Sequence, residues 1–166
     1  MKIFVVALLA LSMLTGCSDS ERESTVEATV YFVGDTPEGF RLFSEKVEYS
    51  EDVDLTTAVI SDLVSGVLTP TNPDYVNLWN SSTKLIEIEL GSSTATVNLD
   101  LGQLNVGSEG EQRAIDQVVW TLTEALPRIK RVNFEVNGQV VESFAGHVDT
   151  TQSFGRDSDV LGEARP

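Results

Sequence analysis

Residues 84–101, KLIEIELGSSTATVNLDL, constrain the fold more than any other stretch. Ile86, Ile88 and Leu90 alternate with Glu87 and Glu89; beyond a Gly-Ser-Ser turn, Ala95, Val97, Leu99 and Leu101 repeat the apolar series. A period of two puts successive side chains on opposite faces of a strand, so the two runs read as an antiparallel hairpin with one apolar face. That face needs cover, and two segments of helical period can supply it. In and just after DVDLTTAVISDLVSG (52–66), Leu55, Ala58, Val59, Leu63 and Val67 recur at helical spacing, with Asp52 or Asp54 as N-cap and Gly66 as the stop. In SEGEQRAIDQVVWTLTEALP, Ile115, Val118, Val119, Leu122 and Leu126 share one face. Ser108 and Glu111 have capping-box spacing, and Pro127 ends the run.

The other elements are shorter. TVEATVYFV (25–33) alternates as a half-buried strand, with Val26, Ala28, Val30 and Phe32 inward and Glu27, Thr29 and Tyr31 outward. A GDTPEG turn leads to a weaker strand, FRLFSEKVEY. RVNFEV and QVVESF flank Asn137-Gly138, the favoured pair for a type I′ hairpin. Leu68 to Leu85 has no period and holds two prolines, three asparagines, Tyr75 and Trp79. A long irregular segment in a compact domain is either functional or packed on the core. The expected fold is α+β: a single domain with two helices packed on a mixed, mainly antiparallel sheet.

The chain has one cysteine, Cys17, so no disulfide can form within it and the fold must rest on its core. Lys2 precedes a short apolar run, Ile3 to Leu14, and small residues lie just before Cys17. A bilayer-spanning helix needs about 20 apolar residues, so this run reads as an export signal. The order Leu14-Thr15-Gly16-Cys17 resembles the lipobox of bacterial lipoproteins. That resemblance implies cleavage before Cys17, a diacylglycerol on its sulfur and often an acylated new N-terminus, together enough lipid for stable anchoring. The expected layout is a signal peptide at 1–16, a polar tether at 17–25, a domain at 26–146 and an irregular tail at 147–166. The expected location is the extracytoplasmic side of a cell membrane. Without residues 1–16 the chain keeps 26 acidic side chains, loses one lysine and carries a formal charge of −16. Such a surface repels phosphate backbones and anionic headgroups, which argues against nucleic-acid binding.

Chemistry-bearing motifs are sparse. His147 is the one histidine, and its pairing with Asp149 reads first as a solvated turn. GSEG before the second helix lacks the lysine and spacing of a phosphate loop. Asp52–Asp54 and Asp157–Asp159 lack the ligand ladder and central glycine of a calcium loop. Neither a metal site nor a cofactor site is expected. Trp120 lies off the main stripe of its helix, where it can pack under the long loop.

VYFV, NPDYVNLWNSSTKL, ATVNLDL, QVVWTLTEALPRIKRVNFEVNG and the late FGRDS, in that order, resemble the GerMN domain, the sporulation and spore germination domain, in its actinobacterial lipoprotein form. The carrying residues include Gln117, Thr121 to Thr123, Val132, Phe134, Val136, Asn137 and Gly138, within Val26 to Val141. Where relatives carry a Gly-Pro pair after the first helix, this chain reads SGVLTP. The resemblance implies a fold like the ring-building domains of secretion systems and a non-enzymatic envelope protein with protein partners. The expected contacts are Asp74, Tyr75 and Trp79 in the long loop. The rival reading is a cell-wall glycan or solute-binding accessory module, which would need Tyr75 and Trp79 exposed for stacking. A hydrolase would need two carboxylates converging in a cleft, one raised by burial.

Overall fold

The computed structural model describes residues 24–162; the signal, Cys17 and the tether up to 23 lie outside them. Thr25–Thr36 (β1) and Gly39–Ser50 (β2) form a long antiparallel hairpin. Leu55–Val64 is helix α1, and Tyr75–Val76 (β3) adds antiparallel to β1 at Val33 and Gly34. Lys84–Leu90 (β4) and Thr94–Asp100 (β5) form the hairpin expected from their alternation. Ser108–Ala125 (α2) then crosses over, and Arg131–Val136 (β6) lies parallel to β5. The architecture is α+β, two helices with mixed, mainly antiparallel strands. The strands divide into two three-stranded sheets, ordered β2-β1-β3 and β4-β5-β6. Both sheets and both helices share one core that includes Phe32, Ile60, Leu63, Leu99, Ile115, Leu122 and Phe134.

Asp54 is the cap of α1: its carboxylate accepts from the Thr57 N–H. Gly66, at φ +69°, ends the helix, as its freedom from a Cβ allows. The chain leaves the helical path there, so Val67 is 65% exposed rather than on the apolar stripe. In β4 a bulge at Ile86 shifts the register between Leu85 and Glu87. Leu85 takes the inward place opposite Leu99, Ile88 stays inward opposite Val97, and Ile86 is turned out. β1 is not half-buried at its centre. Val30 and Phe32 enter the main core, while Tyr31 and Val33 pack on the other face with Leu42, Trp120 and Val160. Trp120 thus covers the back of β1, where the irregular tail meets it, with only Leu78 of the long loop at its margin.

Where the two-residue β3 stops, the side of β1 at Tyr31 has no strand beside it. Helix α2 fills that place. The Tyr31 N–H donates to Thr121 Oγ1 at 3.2 Å, and Gln117 Nε2 donates to the Tyr31 carbonyl at 3.0 Å. Gln117 Oε1 accepts from the Leu78 N–H at 3.1 Å. Gln117 and Thr121 are fully buried, yet their polar atoms are used as strand partners.

The capping box expected of Ser108 and Glu111 does not form. Gly107, extended at φ −80° and ψ −176°, is the N-cap, which places Ser108 at the first helical position and Glu111 at the fourth. The Glu111 side chain is enclosed and accepts five hydrogen bonds from the tail side of the fold. Ser143 Oγ and the Phe144 and Ala145 N–H groups donate to Oε1; the His147 and Val148 N–H groups donate to Oε2. This capture also limits the last hairpin. Asn137 (φ 51°) and Gly138 (φ 75°) make the expected turn, and the Gly138 N–H donates to Asn98 Oδ1. Pairing ends after one bridge, Val136 with Gln139, because the chain is drawn off toward Glu111. The tail expected to be irregular holds one short 3-10 turn, Ser158–Val160, and is seated on the fold: Phe154 bridges Val132, and the Gly162 N–H donates to the Leu42 carbonyl.

Burial acting alone would raise the Glu111 carboxyl; the hydrogen bonds from Ala145, Ser143, His147 and Phe144 outweigh it and hold it below its ordinary 4.5. A carboxyl lowered by folding stabilises the fold above its unfolded value, and that stabilisation fades as pH falls below it. Glu111→Gln, which turns an amide donor toward N–H donors, is expected to lower unfolding free energy in urea by about 3 kcal/mol near neutral pH. The gap between variant and parent should close as pH drops below about 4. Gln117→Leu strands the Tyr31 carbonyl and the Leu78 N–H without partners, and the same titration should show a loss of roughly 2–4 kcal/mol.

Candidate functional site

The irregular segment after α1 is held at many points. Asn77 Nδ2 donates to the Leu63 and Leu68 carbonyls, closing the end of α1, and Asn77 Oδ1 accepts from the Trp79 N–H. The Trp79 indole N–H donates to the Ala114 carbonyl at 2.9 Å. Upstream, the Glu45 carboxylate on β2 accepts from the Thr71 and Asn72 N–H groups at 2.7 and 3.0 Å. Asn72 in turn accepts from Asp74 through its side chain and from Tyr75 through its carbonyl. Residues 71–76 are therefore a turn pinned at both ends, with its tip at Pro73-Asp74.

This pinning separates the three residues expected to form one contact surface. Asp74 is exposed. Tyr75 is half-buried, its ring stacked on Phe43 with centroids 4.5 Å apart and planes at 11°. The stack requires Gly34: a Cβ there would lie 2.7 Å from Phe43 and 2.9 Å from Tyr75. Trp79 is 3% exposed and belongs to the main core, so the expectation that it offers a contact is corrected. An apolar indole with one satisfied N–H is more stable inside than on a loop surface. Val76, which the sequence did not single out, is 49% exposed on the outermost strand of its sheet. Asp74 and Val76 are thus the outward groups, with Tyr75 between them and Trp79 beneath.

The stacking platform needed for a glycan, an exposed Tyr75 with an exposed Trp79, is not formed. Of the carboxylates, Asp116 is raised by burial against the opposing pull of Gln112 and Arg113. It is bonded to those two side chains of its own helix. Glu111, the other buried acid of α2, is shifted the opposite way and saturated by loop donors. His147 and Asp149 do not meet through their side chains. The His147 main chain serves Glu111, and the Asp149 carboxylate accepts from Thr151 and Gln152. Among the described residues there is no group of three or more His, Cys, Asp or Glu side chains placed to hold a metal ion, and no helix is long and apolar enough to cross a membrane.

The fold is shared with solved structures, three of which follow. A candidate lipoprotein from Clostridium perfringens matches at 23% identity and a TM-score of 0.55, over 80% of this chain and 88% of the other. The first GerMN domain of the sporulation protein GerM from Bacillus subtilis matches at 18% and 0.58, over 82% and 96%. The tandem GerMN domains of the same protein match at 18% and 0.66, over 89% of this chain but 51% of the other, so this chain spans about half of that pair. No curated protein matches significantly. The family pattern for sporulation and spore germination, Germane, matches residues 29–142, from β1 through the single bridge after β6. The chain therefore belongs to the Germane family, the GerMN-type domains of sporulation and spore germination.

Proposed function

We propose that the chain is a lipid-anchored, extracytoplasmic GerMN-type module, non-enzymatic, that binds or assembles protein partners in the cell envelope. The observation that carries partner binding is the presentation of residues 74–76. An exposed carboxylate and an exposed valine are held outward on a turn fixed by Glu45, Asn72, Asn77 and the Tyr75–Phe43 stack. A rigid tip loses little conformational freedom on docking, which favours recognition. Trp79 acts as the anchor of this tip and not as a contact. The anchor reading rests on Cys17 and the apolar run before it, and a structural relative is itself a candidate lipoprotein. Six residues separate Cys17 from the first described residue, so a lipid there would hold the domain within roughly 25 Å of the bilayer. A role in sporulation or germination is the natural setting for a member of this family.

Two measurements test the proposal in cells. Cys17→Ser is expected to abolish incorporation of an alkyne fatty acid and to release the domain from the membrane fraction; retention of both overturns the anchor. A photoreactive residue replacing Asp74 is expected to give discrete protein adducts that disappear with Val76→Asp. Adducts confined to glycan, or none, overturn partner docking at this tip.

A further inference from the structure

Among the described residues, half of the basic side chains gather in one place. Of the eight lysines and arginines among residues 24–162, Arg128, Lys130, Arg131 and Arg156 gather where α2 ends. Their placement is fixed by the backbone. Arg128 donates to the Gly91 carbonyl and Arg131 to the Ser153 carbonyl, while the Lys130 and Arg131 N–H groups both donate to the Ser93 carbonyl. The tail passes close by: a Cβ on Gly155 would lie 3.1 Å from Arg131 Nη1 and 3.2 Å from the Lys130 carbonyl. Between Lys130 and Arg156 lies a cleft of about 460 Å³, walled by Pro127 and Ile129 and floored by Thr123 and Glu124.

Arg156 is prepared for a carboxylate. Its guanidinium lies 4.5 Å from the centre of the Trp120 ring, its Nε donates to Thr123 Oγ1 at 2.8 Å, and its Nη2 donates to Glu124 Oε2 at 2.6 Å. Stacking and the Thr123 bond fix the plane of the fork. The Glu124 pair is open to solvent, with side chains 35% and 41% exposed, and such pairs exchange at little cost. Lys130 spends one N–H on the Pro127 carbonyl. The neighbouring acid Asp157 caps the turn that follows, its Oδ1 accepting from the Asp159 N–H.

We propose that this cleft receives an acidic segment of a protein partner, one carboxylate replacing Glu124 on Arg156, a second meeting Lys130, and aliphatic stems lying on Pro127. The proposal rests on the partner-binding reading above and adds the partner's chemistry. Local charge decides the contact, because at physiological salt the net charge of the body is screened beyond about 8 Å. The cluster also neutralises the carbonyl end of α2, and a purely structural role would stop there.

The test uses the purified domain and a fluorescein-labelled hexaglutamate peptide, followed by anisotropy. Saturable binding that weakens as salt rises is expected. The Lys130→Gln, Arg156→Gln double variant should bind roughly tenfold more weakly, while Lys84→Gln, the same charge change at the far end of β4, should change affinity less than about twofold. Arg156→Lys, which keeps the charge and loses the fork, should fall between. Urea unfolding of each variant separates lost binding from lost folding. No binding to the parent domain, or equal weakening by Lys84→Gln, overturns the proposal. Inorganic polyphosphate that displaces the peptide at equal charge also overturns it, since the site would then be a general polyanion surface. The peptide assay needs neither Cys17 nor Asp74, so a failed envelope role and a failed cleft give different results.

Discussion

The side chain of Gln117 lies where β1 has no strand beside it, and the rest of the fold follows from that contact. A buried strand margin with bare N–H and C=O groups costs about as much as the hydrogen bonds it lacks. Most proteins answer with another strand. Here the neighbouring strand is two residues long, and a helix completes the margin with an amide and a hydroxyl. The same amide holds Leu78, so one side chain joins α2, β1 and the irregular segment. α2 also bridges β5 to β6, so fixing it on β1 fixes one sheet against the other.

The acidic composition acquires a structural meaning from the same geometry. Several carboxylates serve as staples between segments far apart in the chain. Glu45 holds residues 71 and 72, Glu109 accepts from the Phe40 N–H, and Glu111 gathers residues 143–148. A carboxylate accepts several N–H groups at once and gains from its charge, so it suits irregular chain that has no ladder of its own. A formal charge of −15 thus includes acids whose work is internal.

What the sequence made legible was period. The β4–β5 alternation, the two helices and the Asn137-Gly138 turn follow from local spacing, and each is present. What escaped were the long-range consequences of single polar groups. Glu111 sat at capping-box spacing, and only the extended Gly107 shifts it one place and frees it for residues 143–148. Ile86 fitted the alternation perfectly, and a bulge invisible to period exchanged it for Leu85. At the proposed tip, Asp74 and Tyr75 are conspicuous in the sequence because aromatics and turn residues stand out in an irregular stretch. Val76 is inconspicuous because an exposed valine looks like any other strand residue, and the company of Trp79 suggests an outward place although its indole has a partner on α2. Gln117 and Thr121 carried the family resemblance as a phrase; their use as strand partners needed the fold.

The family pattern ends at residue 142, and the physical domain does not. The donors to Glu111 begin at Ser143, Phe154 lies against Phe134, and Val160 and Gly162 finish the cover over Leu42. A chain trimmed at residue 142 would keep both α-helices and all six strands, yet it would leave the Glu111 carboxylate in its interior without its donors. The unit that folds is longer than the segment the family pattern matches, and any experiment that transplants this domain must carry residues 143–162 along.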